Sequence, residues 1–265
     1  MIKPLDRTFI LNYAEKILNE MGLCTLPVDL SFLLRKKGIM LFPKDSLTDG
    51  VSGMLIRVGD YDYGIVYSTC YKNQGFERFS IAHEIGHYFL EGHPYYDIDG
   101  LHKSNAGFIS QDQYEKEADI FASGLLMPED LFKDRMKEYP KGLDGIIGMA
   151  EVCQTSLTAT AIRYVGLTTK NIIVLLSTDG IINFCAVSEK IFLMKDKEIP
   201  KKGYPVPKNT ATAKLSMDKV RIINRERDLM DADLSDWLEL DRSKDANEEV
   251  IGLGRYGKVL TVISL

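Results

Sequence analysis

Cysteine is scarce in this chain, four in 265 residues, and Cys24, Cys70, Cys153 and Cys185 lie too far apart to form any C-x-x-C pair. That excludes a thioredoxin-type redox motif and a cysteine-built zinc knuckle, and it suits a reducing cytoplasm. Long apolar runs are missing too: nothing approaches the roughly 18 uncharged apolar residues that a membrane-spanning helix needs. The stretch Met1–Gly22 is broken by Asp6, Arg7, Asn12, Glu15 and Lys16, so it lacks the apolar core of a signal peptide. Basic charge is in deficit, 33 Lys and Arg against 38 Asp and Glu, for a net charge of −5. There is no general pull toward nucleic acid or anionic lipid. Repeats and low-complexity tracts are absent. The expectation is a soluble cytoplasmic protein with no membrane partner.

What is present is a mixture of helical and strand patterns, hence an α+β fold. Leu5, Phe9, Tyr13, Ile17 and Leu18 recur at helical spacing up to Gly22, and a second helix is expected from Pro27 to Lys37, stopped by Gly38. Ile39–Phe42, Gly53–Val58 and Tyr63–Tyr67 are β-rich and separated by turn signals, which predicts a small sheet. Helical patterns follow over Phe76–Leu90, Gln113–Leu126, Pro128–Tyr139, Leu143–Cys153 and Ser156–Val165, and the last two could form a helix-turn-helix. After Leu167 apolar strands return at Ile172–Leu176 and Ile181–Val187, joined by a hairpin at Thr178-Asp179-Gly180. Ile199–Lys208 is expected as a loop, Leu229–Leu240 as a helix and Val259–Leu265 as a last strand.

Histidine is rare as well, four in the chain, yet two of them stand in His83-Glu84-Ile85-Gly86-His87. On a helix, positions i and i+4 project from one face, so both imidazoles can hold one Zn²⁺, with Mn²⁺ as an alternative ion. Glu84, one position round from His83, can act as general base toward a water at that ion without being a ligand. A catalytic ion needs a third protein ligand. On the second helix, at about 100° per residue, Ala118, Ala122, Leu125 and Leu126 define the buried face. Glu115 and Asp119 lie at its edge and Glu117 points nearly opposite. Glu115 is therefore the expected ligand, and Asp119 is placed to accept a hydrogen bond from a ligand histidine. His93, Tyr95, Tyr96, His102 and Tyr114, in or beside the loop between the two helices, are candidate donors to an oxyanion, although exposed loop residues are the plainer reading.

Arg78-Phe79, Ala82-His83-Glu84-Ile85-Gly86-His87-Tyr88, Glu115-Lys116-Glu117-Ala118-Asp119-Ile120-Phe121-Ala122 and Leu125-Leu126-Met127-Pro128 together resemble the ImmA/IrrE family of zinc metallopeptidases. The resemblance runs from about residue 50 to 165, including Arg163 and Leu167 at its close. It implies zinc bound by His83, His87 and Glu115. Where this family often has Asn, the chain has Asp119, which is similar to the residue behind a ligand histidine in related zincins. It further implies a zincin-like domain over residues 1–141, a helix-turn-helix-like helical linker over 142–167, and a sensor-like α/β domain of GAF type over 168–265 that would receive an unknown activating signal. The substrate it implies is a transcriptional repressor of helix-turn-helix type, whose limited proteolysis derepresses stress-response or mobile-element genes.

Two other classes of function compete. A DNA-binding regulator would use Leu143–Val165, with a structural or vestigial metal, but that segment offers Arg163 as its sole basic residue. A ligand-sensing scaffold would use the C-terminal domain. Lys195, Lys197, Lys201 and Lys202 leave nucleic acid possible, with a solvated surface as the default. Gly252-Leu253-Gly254-Arg255-Tyr256-Gly257 fits G-x-G-x-x-G, yet too few residues follow it for a dinucleotide fold, so it is expected to be a turn.

Overall fold

The computed structural model describes residues 5–45, 47, 51–58, 62–93, 112–194, 198–238, 240 and 243–265. The chain divides into two compact units, Met1–Arg135 with Ala150–Ser156, and Met136–Met149 with Leu157–Leu265. The segment 142–167, expected as a helical linker, thus contributes residues to both units. Among the described residues no helix is long and apolar enough to cross a membrane. The α+β class is as expected.

In the first unit, α1 (Arg7–Glu20) starts where the Asp6 side chain accepts the N–H groups of Thr8 and Phe9, a cap worth about 1 kcal/mol. Its buried face is Ile10, Ala14, Ile17 and Leu18, one step round from the expected stripe, and Phe9 is exposed and stacks on Tyr13. The rotation follows from the neighbour: Gly124 lacks a side chain, so Leu11 and Ala14 pack directly against its backbone. The second helix, α2 (Leu30–Lys37), begins after Asp29, which caps the Phe32 N–H, and not at Pro27. It ends at Gly38 in the left-handed conformation, φ 68°. A three-stranded sheet follows, β1 (Ile39–Lys44), β2 (Gly53–Val58) and β3 (Asp62–Ser68), in the order β1-β3-β2. β1 runs parallel and β2 antiparallel to the central β3.

Two long helices carry the rest of this unit. Asn73 caps α3 (Gln74–Phe89) and Asp112 caps α4 (Gln113–Leu126). They approach closely because Gly86 presents no side chain: a Cβ there would lie 3.1 Å from the Ala118 Cα. Ala118, Phe121, Ala122, Leu125 and Leu126 of α4 are fully buried, and each large apolar side chain contributes about 1.5–3 kcal/mol by leaving water. Arg78 ties α3 back to the chain before α2 by donating to the Val28 carbonyl, 2.8 Å away. Pro128 precedes α5 (Glu129–Met136); of the two helices that follow, α6 (Leu143–Cys153) contributes residues to both units and α7 (Leu157–Leu167) belongs to the second.

The second unit is built on a five-stranded antiparallel sheet. Its strands are β4 (Ile172–Thr178), β5 (Ile181–Val187), β6 (Arg227–Asp233), β7 (Asp245–Gly252) and β8 (Lys258–Ser264), in the order β5-β4-β8-β7-β6. Three short helices, α8 (Glu189–Phe192), α9 (Ala211–Ser216) and α10 (Lys219–Ile223), connect them. The expected hairpin is present, with Asp179 and Gly180 both at positive φ, 48° and 74°, the pair a tight two-residue turn requires. Leu229–Leu240 is not a helix: most of it is β6 followed by a 3₁₀ turn at Leu234–Asp236. Asp228, Asp231, Asp233 and Asp236 are poor helix formers, and pairing with β7 satisfies the β6 backbone instead. Gly252–Gly257 is the joint between β7 and β8, a short 3₁₀ turn ended by Gly257 at φ 63°. Of the basic cluster, Lys195 and Lys197 lie outside the described residues, and Lys201 pairs with Glu198.

Candidate metal centre

His83 and His87 are separated by one turn of α3, and burial of that face puts both imidazoles against α4. Their Nε2 atoms stand 3.1 Å apart. From α4 the Glu115 carboxylate reaches both, with Oε2 3.5 Å from the His83 Nε2 and Oε1 3.2 Å from the His87 Nε2. These three side chains form a buried group whose donor atoms all lie within 4.8 Å of one another, close enough to hold one metal ion.

The outer ring nitrogen of each histidine has a partner of its own, Asp119 for His83 and His93 for His87. Asp119, one turn after Glu115, takes the His83 Nδ1–H at 2.8 Å, so the lone pair of the His83 Nε2 points inward. Without an ion, two facing imidazole nitrogens and a carboxylate favour a shared proton among them. Burial alone would lower the His83 pKa, but the hydrogen bonds to Asp119 and Glu115, with the nearby charge of Glu84, raise it from 6.5 to about 10. A dication in that position takes over the proton's electrostatic role, and the two imidazoles and one carboxylate are the donor types zinc favours. The residues present fit the ion.

Glu84 is buried beside this group and its Oε1 lies under β2: a Cβ on Gly53 would come within 2.8 Å of that oxygen. The absence of a side chain at Gly53 leaves the space the carboxylate fills.

His93 is not an exposed loop residue. It is 2% exposed, and its Nδ1 is 2.9 Å from the His87 Nδ1, while its Nε2 is 3.1 Å from the Glu117 Oε2. Glu117, expected to point away from the site, is instead buried and also accepts the Leu5 N–H at 2.8 Å and the Gln113 amide at 2.6 Å. The reason is that α4 has neighbours on two sides. The helical projection identified the side toward α3 and missed the side covered by Leu5 and His93. Burial pushes His93 down to about 4 despite the hydrogen bond to Glu117. Burial works to raise Glu117, but the hydrogen bonds from Gln113, Leu5 and His93 leave it below the usual carboxylate value. Tyr114 is half-buried with its ring centroid 5.0 Å from that of His93. Tyr95, Tyr96 and His102 lie outside the described residues.

The model of a known family, Peptidase_M78, described as the IrrE N-terminal-like domain, matches residues 34–173. No curated protein matches the chain. Among solved structures, a Mycobacterium tuberculosis transcriptional regulator superposes with a TM-score of 0.62 at 13% identity, over 97% of this chain and 76% of the regulator. At that identity the likeness concerns the fold.

Proposed function

The chain belongs to the Peptidase_M78 family of IrrE N-terminal-like domains, and from that premise we propose that it is a zinc-dependent endopeptidase, with His83, His87 and Glu115 as ligands and Glu84 as general base. The observation that carries this reading is the convergence of two buried imidazole nitrogens and the Glu115 carboxylate, with the Glu84 carboxylate beside them. A bound zinc ion supplies Lewis acidity at that point, polarising a carbonyl and making water more acidic. Glu84 accepts the proton of the attacking water and delivers it to the leaving amine. Asp119 holds His83 by its Nδ1, so the ring cannot turn its donor atom away. Burial of all five groups excludes bulk water and strengthens each electrostatic contact.

β2 suits a peptide substrate. It is an edge strand among the described residues and passes over Glu84 at Gly53, so an extended chain paired to its outer side would run past the base. The substrate we assign, from the family resemblance, is a cytoplasmic transcriptional repressor of helix-turn-helix type. Its cleavage would release stress-response or mobile-element genes. Residues 168–265, proposed as a GAF-like sensor domain, would receive the activating signal. The test is metal analysis: the parent should carry one zinc per chain, and His83→Ala should lose it together with cleavage of such a repressor. Full metal content in His83→Ala would reject the ligand set.

A further inference from the structure

The two ligand histidines are held from behind by different means. A carboxylate accepts directly from His83, whereas between His87 and its carboxylate stands a second imidazole: His87 Nδ1, His93 Nδ1, His93 Nε2 and Glu117 Oε2 follow in line at 2.9 and 3.1 Å. An imidazole inserted in such a line transmits polarity. A neutral ring carries one proton on one nitrogen and a lone pair on the other. Whichever nitrogen of His93 holds the proton therefore decides whether the ring offers His87 an acceptor or a donor.

The end of the line fixes the choice. Glu117 is an acceptor, held in place by the Leu5 N–H and the Gln113 amide on its other oxygen. His93 must then donate from Nε2, which leaves its Nδ1 to accept. His87 donates from Nδ1, and its Nε2 is left with the lone pair turned toward His83 and Glu115. The opposite polarity would put a proton on the His87 Nε2 and remove it as a donor to an ion.

We propose that His93 and Glu117 are positioning residues for the metal centre: Glu117 orients the His93 proton, and His93 in turn holds His87 in the one tautomer that can ligate. The inference rests on the metal-centre reading above.

The test uses the full-length, zinc-loaded protein with ¹⁵N-labelled histidine. With four histidines in the chain, long-range ¹H–¹⁵N spectra separate the tautomers of each ring. His93 should be the Nε2–H form and His87 the Nδ1–H form; a reversed His93, or one protonated on both nitrogens at neutral pH, overturns the proposal. In Glu117→Gln the amide can donate to His93 and reverse the line. Chelator competition should then show zinc affinity lower by about 10–100-fold, the usual effect of losing a residue behind a ligand. Glu117→Asp, which keeps an acceptor, should recover part of that loss. Leu5→Pro removes the N–H that anchors Glu117 without changing ring polarity and should leave the affinity near the parent's. A loss in Leu5→Pro as large as in Glu117→Gln would make Glu117 an anchor of the chain start and defeat the proposal. Failure of the parent itself to bind zinc takes down the metal-centre reading and this one together, whereas stoichiometric zinc with reversed tautomers defeats this one alone.

Discussion

Gly53 has no side chain, and the position its Cβ would occupy lies 2.8 Å from Oε1 and 3.2 Å from Cγ of Glu84, with the Val66 carbonyl at 3.3 Å on the other side. The carboxylate is the part that can move, so Gly53→Ala should fold and bind zinc as the parent does, while the Glu84 carboxylate is displaced from the position proposed for the base. The expected loss of cleavage rate is some fraction of the 10²–10⁴-fold (order of magnitude) that proton transfer contributes. Metal content and rate measured on the same sample decide it, and an undiminished rate would remove Gly53 from the account. His83 gives a second residue-scale expectation. Its pKa in the folded, metal-free chain is raised from 6.5 to about 10. A group raised in this way contributes stability that is fully present below its unfolded pKa and is lost as pH climbs through the folded one. The melting temperature of the metal-free protein should therefore fall between pH 6.5 and about 10, and less steeply in His83→Ala. Parallel slopes in the two proteins would contradict the assignment.

At the scale of elements, the presence of the first unit's helices was legible from apolar periodicity and closing glycines, while the buried face of α1 and the start of α2 were set by their neighbours and by the Asp29 cap. Asn73, Asp112 and Gly38 act where local chemistry alone would put them. What hid was structure that depends on partners distant in sequence. β7 reads Asp-Ala-Asn-Glu-Glu-Val-Ile-Gly, too acidic to signal a strand, yet Glu248 is fully buried. It can be, because it accepts the N–H groups of Ala211 and Thr212 at 3.0 and 2.8 Å and the Thr212 hydroxyl at 2.5 Å, and that hydroxyl also meets Thr261. A sequence pattern counts Glu248 as solvated because its donors lie 36 and 37 residues earlier in the chain. Glu248→Gln turns an amide nitrogen toward one of these donors and should destabilise the fold by about 1–3 kcal/mol, the cost of an unmatched buried polar group. Chemical denaturation checks the value, and metal content should not change, since Glu248 belongs to the second unit. A variant as stable as the parent would mean that the buried carboxylate is not needed as a carboxylate. Glu117 was missed for a related reason: a single-helix projection assigns one buried face, and α4 buries two. His93 was named as a candidate donor, but its burial between His87 and Glu117 depends on a partner 24 residues later in the chain.

For the whole molecule, the α+β class was readable from the mixture of helical and strand patterns and the family from one short motif and one acidic helix, and the family model over residues 34–173 agrees with the family reading. Such motifs are legible because metal chemistry restricts both residue type and spacing. The second unit carries no comparable restriction. Its sheet is held by apolar strands such as β4 and β8 and by non-local pairing, so the sequence announces the apolar strands but neither β6 and β7 nor the order of the sheet. The net charge of −5 bears on solubility and partners and says nothing of catalysis. The account as a whole turns on Glu84 acting as a base beside the His83, His87 and Glu115 group. The most direct test compares zinc-loaded parent and Glu84→Gln protein in cleavage of a helix-turn-helix repressor, with zinc determined on the same samples. The predicted result is equal zinc and a cleavage rate lowered by about 10²–10⁴-fold; equal cleavage at equal zinc would contradict it.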